Sequence, residues 1–483
     1  MRDSALITQL RRLPTGIPGL DDILGGGFVE GASYIIQGQP GAGKTIFANQ
    51  VAFSTIGAGR KVIYVTLLAE THDRLFQSLS TVEFFSRERL GNEISYISVF
   101  QTLRDEGLAA VVTLLRNEIK RQEATLLVFD GLLNARDRAN TDLDVKTFVA
   151  AVQSQAAFVG CTVLFLTSAS VTEDSPEHTM VDGVIELHDE LVGVRAVRRL
   201  QVKKSRGSAA LGGYHQFEIS SGGVRVFPRL ESVAGEEKLD IEHRRLTSGV
   251  AGLDQLLGGG VPAQSVTLLF GPSGSGKTTF GLNFLAQANA SEPALHFGFY
   301  EPPPRLIAKG LALGLDLESA VRSGHLEVLW HPLKENLVDK LGHTLLAEVR
   351  RRKVKRLFID GIGGFERAAI YRPRLVEFFT ALSNELRALG VTTVATWELR
   401  DIFGPTVTAP GPEMSSLVDN LIMLRQVELK SHIKRVISVL KVRDSVFEAV
   451  MHEVFIGNQG LSVAFPLEPV GGAATGMAQP LEH

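Results

Sequence analysis

The sequence contains a single cysteine and no long apolar run. Cys161 has no partner for a disulfide within the chain, and one thiol cannot build a metal site of several thiolates. No stretch reaches the roughly 18 consecutive apolar residues of a transmembrane helix, and the first residues lack the apolar core of a signal peptide. We therefore expect a cytoplasmic protein that makes no contact with a membrane.

The sequence also lacks an excess of charge of either sign. The 50 Lys and Arg residues and the 53 Asp and Glu residues leave a formal net charge of −3. Such a chain has no global positive field, so nucleic-acid binding is disfavoured unless a local patch supplies it. With 44% hydrophobic and 21% charged residues, the composition is that of a folded protein. The 483 residues are enough for two or three domains.

A long internal repeat organises the chain. The segment GLDDILGGG at 19–27 returns as GLDQLLGGG at 252–260, and GQPGAGKT at 38–45 returns as GPSGSGKT at 271–278. Both pairs are separated by 233 residues, a spacing that is too long for a solenoid repeat and suits a whole domain. The sequence therefore predicts two homologous domains in tandem.

Within each repeat, short apolar runs rich in β-branched residues alternate with longer amphipathic segments. This alternation predicts an α/β fold with a mainly parallel sheet, and near-continuous apolar strands fit burial on both faces. We predict a first domain at 1–232 and a second at 233–460. The Pro/Gly-rich tail at 461–483 is expected to be flexible, and its final LEH is consistent with an expression tag.

Both repeats carry the pattern GxxxxGK[ST] between a strand-like run and a helix-like one. Glycines allow backbone amides to wrap an anion, and the following helix adds the partial positive charge of its N-terminus. Lys44 and Lys277 are expected to contact the β and γ phosphates of ATP in catalysis, and the next threonines to hold Mg²⁺. A glycine-rich structural turn is the alternative. The predicted nucleotide-binding residues are Gly41, Ala42, Gly43, Lys44, Thr45 and Ile46, and Gly274, Ser275, Gly276, Lys277, Thr278 and Thr279.

Four carboxylates follow apolar strands in the two repeats. Asp130 and Asp360 end strand-like runs, a position from which a carboxylate can reach the Mg²⁺ of a nucleotide held by a neighbouring loop. A turn aspartate before glycine is the alternative. Glu70 and Glu301 end the strand after each P-loop helix, where a catalytic carboxylate can orient the attacking water. Favourable placement at a helix N-terminus is the competing explanation for these glutamates.

Together these features resemble the KaiC family, the circadian-clock members of the RecA-like ATPase superfamily, over about residues 10–460. The resemblance implies two tandem RecA-like P-loop domains, stacked as two rings of a homohexamer that hydrolyses ATP at subunit boundaries. It implies a KaiB-like or other signalling protein as partner. It also implies that basic residues reach the nucleotide of a neighbouring subunit, although a solvated basic edge strand is the alternative. These residues are Lys204, Arg206, Lys441 and Arg443.

A segment of the second repeat, EMSSLVDNLIML, is similar to the KaiC segment that carries an autophosphorylated Ser–Thr pair. The resemblance implies that Ser415 and Ser416 accept phosphate and that the second domain is a serine/threonine autokinase. The first repeat has His178 and Thr179 there and lacks a hydroxyl pair, which implies a division into an ATPase ring and a kinase ring with a role in signalling or timing. Serine as a local cap is the alternative.

One departure from the family concerns the acids after the second strand, where KaiC-type domains usually have two in succession. This chain has Ala69 before Glu70 and Tyr300 before Glu301. The missing second acids keep open a nucleotide-gated scaffold with little turnover. A DNA-dependent RecA-like ATPase is a separate alternative, which the neutral charge balance disfavours. The basic run at 350–356 fits either a solvated helix end or a nucleic-acid contact.

Overall fold

A computed structural model describes residues 10–67, 72–132, 142–168, 176–233, 235, 243–399, 417–429, 432–443, 447, 450–466, 470–471 and 479–480. The chain divides into two compact units, Met1–Val233 and Ala234–His483. The division lies one residue from the boundary expected from the repeat. Each unit has a nine-stranded sheet of its own.

The first unit alternates strands and helices along the chain. Its strands are β1 (Arg12–Leu13), β2 (Phe28–Val29), β3 (Ser33–Gly38), β4 (Val62–Thr66), β5 (Ile94–Ser98), β6 (Leu126–Asp130), β7 (Thr162–Thr167), β8 (Gly183–Val192), β9 (Arg195–Ser205), β10 (Tyr214–Ser220) and β11 (Gly223–Phe227). Its helices are α1 (Leu20–Leu24), α2 (Lys44–Gly57), α3 (Asp73–Leu79), α4 (Phe100–Asp105), α5 (Gly107–Gln122), α6 (Asp142–Phe158), α7 (Pro176–Met180) and α8 (Leu230–Val233), with a 3₁₀ turn at Arg87–Arg89.

The large sheet of the first unit has the strand order β11-β10-β9-β8-β3-β7-β6-β4-β5. The six strands from β8 to β5 in this order are parallel to one another. Strands β9, β10 and β11 continue the sheet in antiparallel fashion. Because helical connections return the chain between the parallel strands, the carboxyl ends of those strands share one edge of the sheet.

Both faces of this sheet are covered by apolar side chains. Ile36 of β3 packs in the core that contains α2, whereas the adjacent Ile35 packs in the core that contains α5 and α6. The alternation follows the two-residue period of a strand. Burial on both faces explains why the strand sequences are apolar almost throughout.

The second unit repeats this succession. Its strands are β12 (Arg245–Leu246), β13 (Val261–Pro262), β14 (Val266–Gly271), β15 (Ala294–Gly298), β16 (Leu326–Trp330), β17 (Arg356–Asp360), β18 (Thr392–Glu398), β19 (Asn420–Leu429), β20 (His432–Val442), β21 (Met451–Gly457), β22 (Gly460–Pro466), β23 (Val470–Gly471) and β24 (Gln479–Pro480). Its helices are α9 (Leu253–Leu256), α10 (Lys277–Leu285), α11 (Pro303–Ala312), α12 (Leu317–Arg322), α13 (Val338–Arg352), α14 (Gly363–Ala368) and α15 (Leu375–Ala388), with a 3₁₀ turn at Arg372–Arg374.

The large sheet of the second unit has the order β16-β15-β17-β18-β14-β19-β20-β21-β22. The first six strands in this order, β16, β15, β17, β18, β14 and β19, are parallel to one another. Strands β20, β21 and β22 continue the sheet in antiparallel fashion. The two sheets therefore have the same topology. The predicted α/β class, with a mainly parallel sheet flanked by helices in each of two tandem domains, is confirmed.

The end of the second sheet differs from the sequence expectation. Strand β22 begins at Gly460 and continues to Pro466, pairing with β21 through contacts such as Phe455 with Ser462. Residues 461–466 are thus part of the sheet, although the sequence assigned them to a flexible tail. The Pro and Gly content that suggested a tail is concentrated beyond this strand. Among the described residues, no helix is both long and apolar enough to cross a bilayer.

Candidate nucleotide-binding sites

The two P-loops lie at the carboxyl edge of the parallel strands. Each connects a central strand to a helix that begins at the P-loop lysine, β3 to α2 at Lys44 and β14 to α10 at Lys277. Backbone amides at a helix N-terminus face the loop and favour an anion there. The motifs therefore stand in the strand–loop–helix context that phosphate binding requires.

Glycine is required at the turn into each P-loop helix. Gly43 has a φ of 99°, and a Cβ there would lie 2.5 Å from Ile219 Cδ1. Gly276, its counterpart, has a φ of 107°. An L side chain at either position would strain the backbone and obstruct the loop.

The P-loop lysines are bound to loop carbonyls. Lys44 Nζ donates hydrogen bonds to Gly38 O at 2.7 Å and Gln39 O at 2.9 Å. Lys277 Nζ donates to Gly271 O and Pro272 O, each at 2.7 Å. Burial lowers the pKa of both lysines, and nearby carboxylates oppose that shift. Each loop therefore holds a partly dehydrated cation at its centre.

The predicted metal ligands are brought together in both units. Thr45 Oγ1 donates to Asp130 Oδ2 at 3.4 Å, and Thr278 Oγ1 donates to Asp360 Oδ2 at 3.1 Å. A hydroxyl beside a carboxylate fits Mg²⁺, which binds through few protein oxygens and completes its shell with phosphate and water. Burial raises the pKa of both aspartates, so each carboxylate lies where a cation would stabilise its charge.

The remaining predicted P-loop residues shape the loops. Ala42 is fully buried, and Ile46 packs against the core beneath α2. The Ser275 hydroxyl is buried without a hydrogen-bond partner among the described residues. Thr279 is buried, and its carbonyl accepts a hydrogen bond from Asn283 Nδ2 at 2.8 Å. Gly41 and Gly274 adopt positive φ angles within the loops.

Each aspartate predicted to bind metal has a further partner that the sequence did not reveal. Tyr64 OH donates to Asp130 Oδ2 at 3.1 Å in the first unit. Thr396 Oγ1 donates to Asp360 Oδ1 at 2.9 Å in the second, and it accepts from the Gly361 amide at 2.7 Å. These partners lie on strands that are distant in sequence from the aspartates, so no local pattern could have identified them.

Glu301 lies in the cavity of the second site. This cavity has a volume of about 740 Å³ and is also lined by Lys277, Thr278 and Asp360. Glu301 Oε1 accepts a hydrogen bond from Lys309 Nζ at 3.1 Å. Its Oε2 is buried and has no hydrogen-bond partner among the described residues. The first site has a smaller cavity of about 330 Å³, and Glu70 lies outside the described residues.

The four basic residues expected to act between subunits lie away from the P-loop of their own unit. In the strand register, Lys204 of β9 is opposite Val184 of β8, and Val184 is opposite Ile35 of β3. Ile35 lies three residues before Gly38, where the P-loop begins. Lys441 has the matching position, since it pairs with Leu421 beside Leu268. Three residues along a strand correspond to about 10 Å. Both lysines therefore lie at the level of the amino-terminal half of the central strand and not at the level of its P-loop.

Local contacts fix three of these four basic residues. Lys204 Nζ donates to His178 O at 2.8 Å, and Lys441 Nζ donates to Val418 O at 2.8 Å. Burial and the adjacent Arg206 lower the pKa of Lys204. Arg206 is exposed, whereas Arg443 forms an ion pair with Asp419 at 3.0 Å. Each unit therefore presents two neighbouring cations at this edge.

The arginines of the basic run at 350–356 are engaged in ion pairs. Arg350 pairs with Glu385 at 2.6 Å, and Arg351 and Arg352 pair with acids on or beside their own helix. Arg356 is buried and pairs with Glu292 at 2.6 Å. The helix α13 ends at Arg352, where cations favour the helix dipole. These contacts favour the helix-end explanation over a nucleic-acid contact.

The family comparison covers both units. Residues 13–231 and 246–468 each match the family model described as "ATPase: KaiC". One match falls within each compact unit, and each includes a P-loop with its threonine and aspartate. The chain belongs to the KaiC ATPase family. It is a tandem-domain, nucleotide-binding ATPase of that family, in agreement with the motifs.

Relatives are similar over nearly the whole chain. The circadian clock protein KaiC3 of Synechocystis sp. is 24% identical over 487 residues, covering 97% of this chain and 94% of the relative. The circadian clock oscillator protein KaiC of Thermostichus vulcanus is 25% identical over 480 residues, covering 94% and 89%. KaiC of Synechococcus elongatus is 24% identical over 468 residues, covering 93% and 88%. The similarity thus includes both domains.

Proposed function

We propose that this KaiC-family protein binds ATP with Mg²⁺ at both P-loops, hydrolyses ATP as a homohexamer of two stacked rings, and phosphorylates itself in the second domain. The observation that carries the proposal is the repeated Lys–Thr–Asp arrangement. Lys44, Thr45 and Asp130 in the first unit have the same relation as Lys277, Thr278 and Asp360 in the second. Two copies of one arrangement on two matching sheets support two nucleotide sites.

The chemistry follows from the contacts of each side chain. The lysine ammonium is held by neutral carbonyls, which it can exchange for the stronger charge-assisted bonds to phosphate oxygens. Mg²⁺ bound by the threonine and aspartate oxygens would neutralise charge on the phosphates. Glu301 Oε2, buried and without a partner among the described residues, would accept a hydrogen bond from the attacking water. Lys309 holds the other carboxylate oxygen in place.

The position of the Lys-x-Arg pairs supports action between subunits. Lys204 lies about 10 Å along the sheet from the level of its own P-loop, and its ammonium is bound to His178 O. Arg206 lies further along the chain in the same direction. If these cations contact ATP, the ATP belongs to another copy of the chain. Repetition of that head-to-tail contact closes a ring.

Autophosphorylation is the part of the proposal that concerns Ser415 and Ser416, which lie outside the described residues. Val418 and Asp419, the residues two and three positions after Ser416, contact Lys441 and Arg443. A neighbour's ATP that reaches these two cations would therefore lie beside the strand start that follows the serines. This juxtaposition supports phosphate transfer across the subunit boundary.

The relatives support a place for this activity in signalling or timing. Those reported above are named as circadian clock proteins. By analogy, the proposed partner is a KaiB-like or other signalling protein whose binding depends on the nucleotide and phosphorylation state of the rings.

Phosphate release by four proteins tests the proposed activity. The wild type, Lys44→Ala, Lys277→Ala and the double variant should be compared with Mg²⁺ and with EDTA, each in the presence and absence of DNA. We expect partial loss in each single variant, nearly complete loss in the double variant and with EDTA, and no stimulation by DNA. ATP-dependent assembly without phosphate release would instead indicate a scaffold, and stimulation by DNA would indicate a DNA-dependent ATPase.

Sedimentation with and without ATP-Mg²⁺ tests the ring. ATP that bridges two subunits should stabilise the hexamer, because a ligand stabilises the state that binds it. A species that remains monomeric under both conditions would contradict the assembly.

A further inference from the structure

The second site contains a carboxylate that the chemistry above leaves without a role. Glu398 ends β18, which lies between the P-loop strand β14 and β17, the strand that carries Asp360. In the register of β14 with β18, Glu398 is opposite Gly271. Its side chain lines the same cavity as Lys277 and Glu301. The carboxylate thus enters the phosphate site from the strand at its centre.

A shared carbonyl fixes Glu398 beside the P-loop lysine. Gly271 O accepts a hydrogen bond from Leu399 N at 3.0 Å and another from Lys277 Nζ at 2.7 Å. The Leu399 amide and the Lys277 ammonium therefore bind the same carbonyl oxygen. The charge of Glu398 also raises the pKa of Lys277 against the larger lowering by burial, as expected of two groups in proximity.

Glu398 is open to solvent at the second site. The residue is exposed, and its carboxylate accepts no hydrogen bond from the described residues. Glu301 differs, because its Oε1 is engaged by Lys309 and its Oε2 is buried. In the first unit, Ser168 follows β7 at the corresponding position and lines the first cavity. A serine hydroxyl there cannot serve as a proton acceptor near neutral pH, so the two sites differ in this function.

We propose that Glu398 is the proton acceptor of the second site. The inference rests on the proposed ATP hydrolysis. As the oxygen of the attacking water forms a bond to the γ-phosphorus, one O–H bond of the water breaks and its proton passes to a carboxylate oxygen of Glu398. The bond between the γ-phosphorus and the β–γ bridging oxygen breaks, and its electron pair leaves with ADP. Glu398 then releases the proton to solvent, while Glu301 orients the water.

The test uses the full chain with Lys44→Ala, which leaves turnover to the second site. Adding Glu398→Gln should lower kcat by about 10²-fold, the usual contribution of a general base, and should leave KM within about twofold, because the amide preserves size and binding. Adding Glu398→Ala should give a similar loss that millimolar sodium formate partly restores. Glu366→Gln is the matched control, since Glu366 is another acid of the same cavity on α14. We expect its kcat to stay within about threefold.

Three results would overturn the assignment. One is an equal loss of kcat in Glu366→Gln, which would mean that any change of cavity charge is sufficient. Another is an effect of Glu398→Gln confined to KM. The third is a failure of formate to restore Glu398→Ala in a protein that still binds ATP by fluorescence. A failure of the proposed function itself would give a different result. Phosphate release by the Lys44→Ala protein would then be absent, or would persist after addition of Lys277→Ala, whichever residue occupies position 398.

Discussion

The hydroxyl of Tyr64 donates a hydrogen bond to Asp130 Oδ2 at 3.1 Å, and this contact has no direct equivalent among the described residues of the second domain. Tyr64 pairs with Val128, and His296 pairs with Phe358 at the matching position. Asp360 Oδ1 instead accepts a hydrogen bond from Thr396 Oγ1 at 2.9 Å. The two aspartates are therefore supported from opposite neighbouring strands, β4 in the first domain and β18 in the second.

Replacement of Tyr64 by Phe is expected to weaken Mg²⁺ binding at the first site. The hydrogen bond from Tyr64 lowers the pKa of Asp130, in opposition to burial, so its loss disfavours the ionised carboxylate that Mg²⁺ requires. The Mg²⁺ concentration for half-maximal phosphate release should rise about tenfold, which corresponds to about 1.4 kcal/mol. The measurement should be made with Lys277→Ala present. Tyr96→Phe is the control, because that phenol bonds to Asn49 and not to Asp130.

Replacement of Asp360 by Asn should stabilise the second domain while abolishing its turnover. Burial raises the pKa of Asp360 above that of the unfolded chain, so the ionised carboxylate lowers the free energy of unfolding as pH rises through the folded-state pKa. The neutral amide avoids this cost at pH 7. Thermal unfolding without nucleotide should show a higher Tm, by about 2–4 °C for each kcal/mol relieved. The difference should disappear as the pH falls below the unfolded-state pKa.

Asp316→Asn is the control for the direction of the predicted change in stability. Asp316 caps α12, and the hydrogen bond from the Ser319 amide lowers its pKa. Its charge therefore contributes stability above the unfolded-state pKa, and that contribution is lost as pH falls through the folded-state pKa. This variant should show no gain in Tm at pH 7. A gain equal to that of Asp360→Asn would exclude burial of the carboxylate as the cause.

Arg206→Ala is expected to impair hydrolysis in a neighbouring subunit. If Arg206 supplies transition-state charge in trans, its loss should lower first-site turnover about 10³-fold, at the lower end for an arginine finger. Mixing this variant with Lys44→Ala subunits should recover activity, because some boundaries then combine an intact P-loop with an intact arginine. Lys277→Ala should be present in both. No recovery, despite subunit exchange demonstrated by fluorescence, would show that Arg206 does not act in trans.

Phosphopeptide mapping after incubation with ATP-Mg²⁺ tests Ser415 and Ser416. Each phosphate adds about −1.5 to −2 charges, which Lys441 and Arg443 can pair with, so modification should also change the sedimentation of the rings. We expect phosphate on at least one of the serines in the wild type and less than a tenth as much in Lys277→Ala. Equal modification of both proteins would mean that the second P-loop is not the donor site.

The features predictable from the sequence were those carried by local pattern. The P-loops at 38–45 and 271–278 are contiguous segments, and their internal repeat revealed two domains of one fold. Asp130 and Asp360 were identifiable because each ends an apolar run. The Gly460–Pro466 strand was missed because a seven-residue edge strand next to Pro and Gly has little distinctive pattern.

The missed contacts depend on strand order. Thr396 and Glu398 lie more than 30 residues after Asp360, yet β18 is next to β17 in the sheet. Tyr64 is 66 residues from Asp130 and reaches it from β4, on the other side of β6. Hydrophobic periodicity identifies strands but does not determine which strand lies beside which. The supporting residues of the two sites therefore became evident only with the topology.

Support from opposite strands also constrains how the two halves of the gene can exchange segments. In the shared register, Leu166 of β7 corresponds to Thr396, since Ile36 pairs with Leu166 and Leu269 pairs with Thr396. An unequal crossover between the repeats after the Asp codon would join Tyr64 to Thr396 in one hybrid domain, giving its aspartate two donors. The reciprocal hybrid would join His296 to Leu166 and leave its aspartate with neither. The exchange would therefore be asymmetric in its effect, because only one of the two hybrid domains would keep a donor to its aspartate from a neighbouring strand.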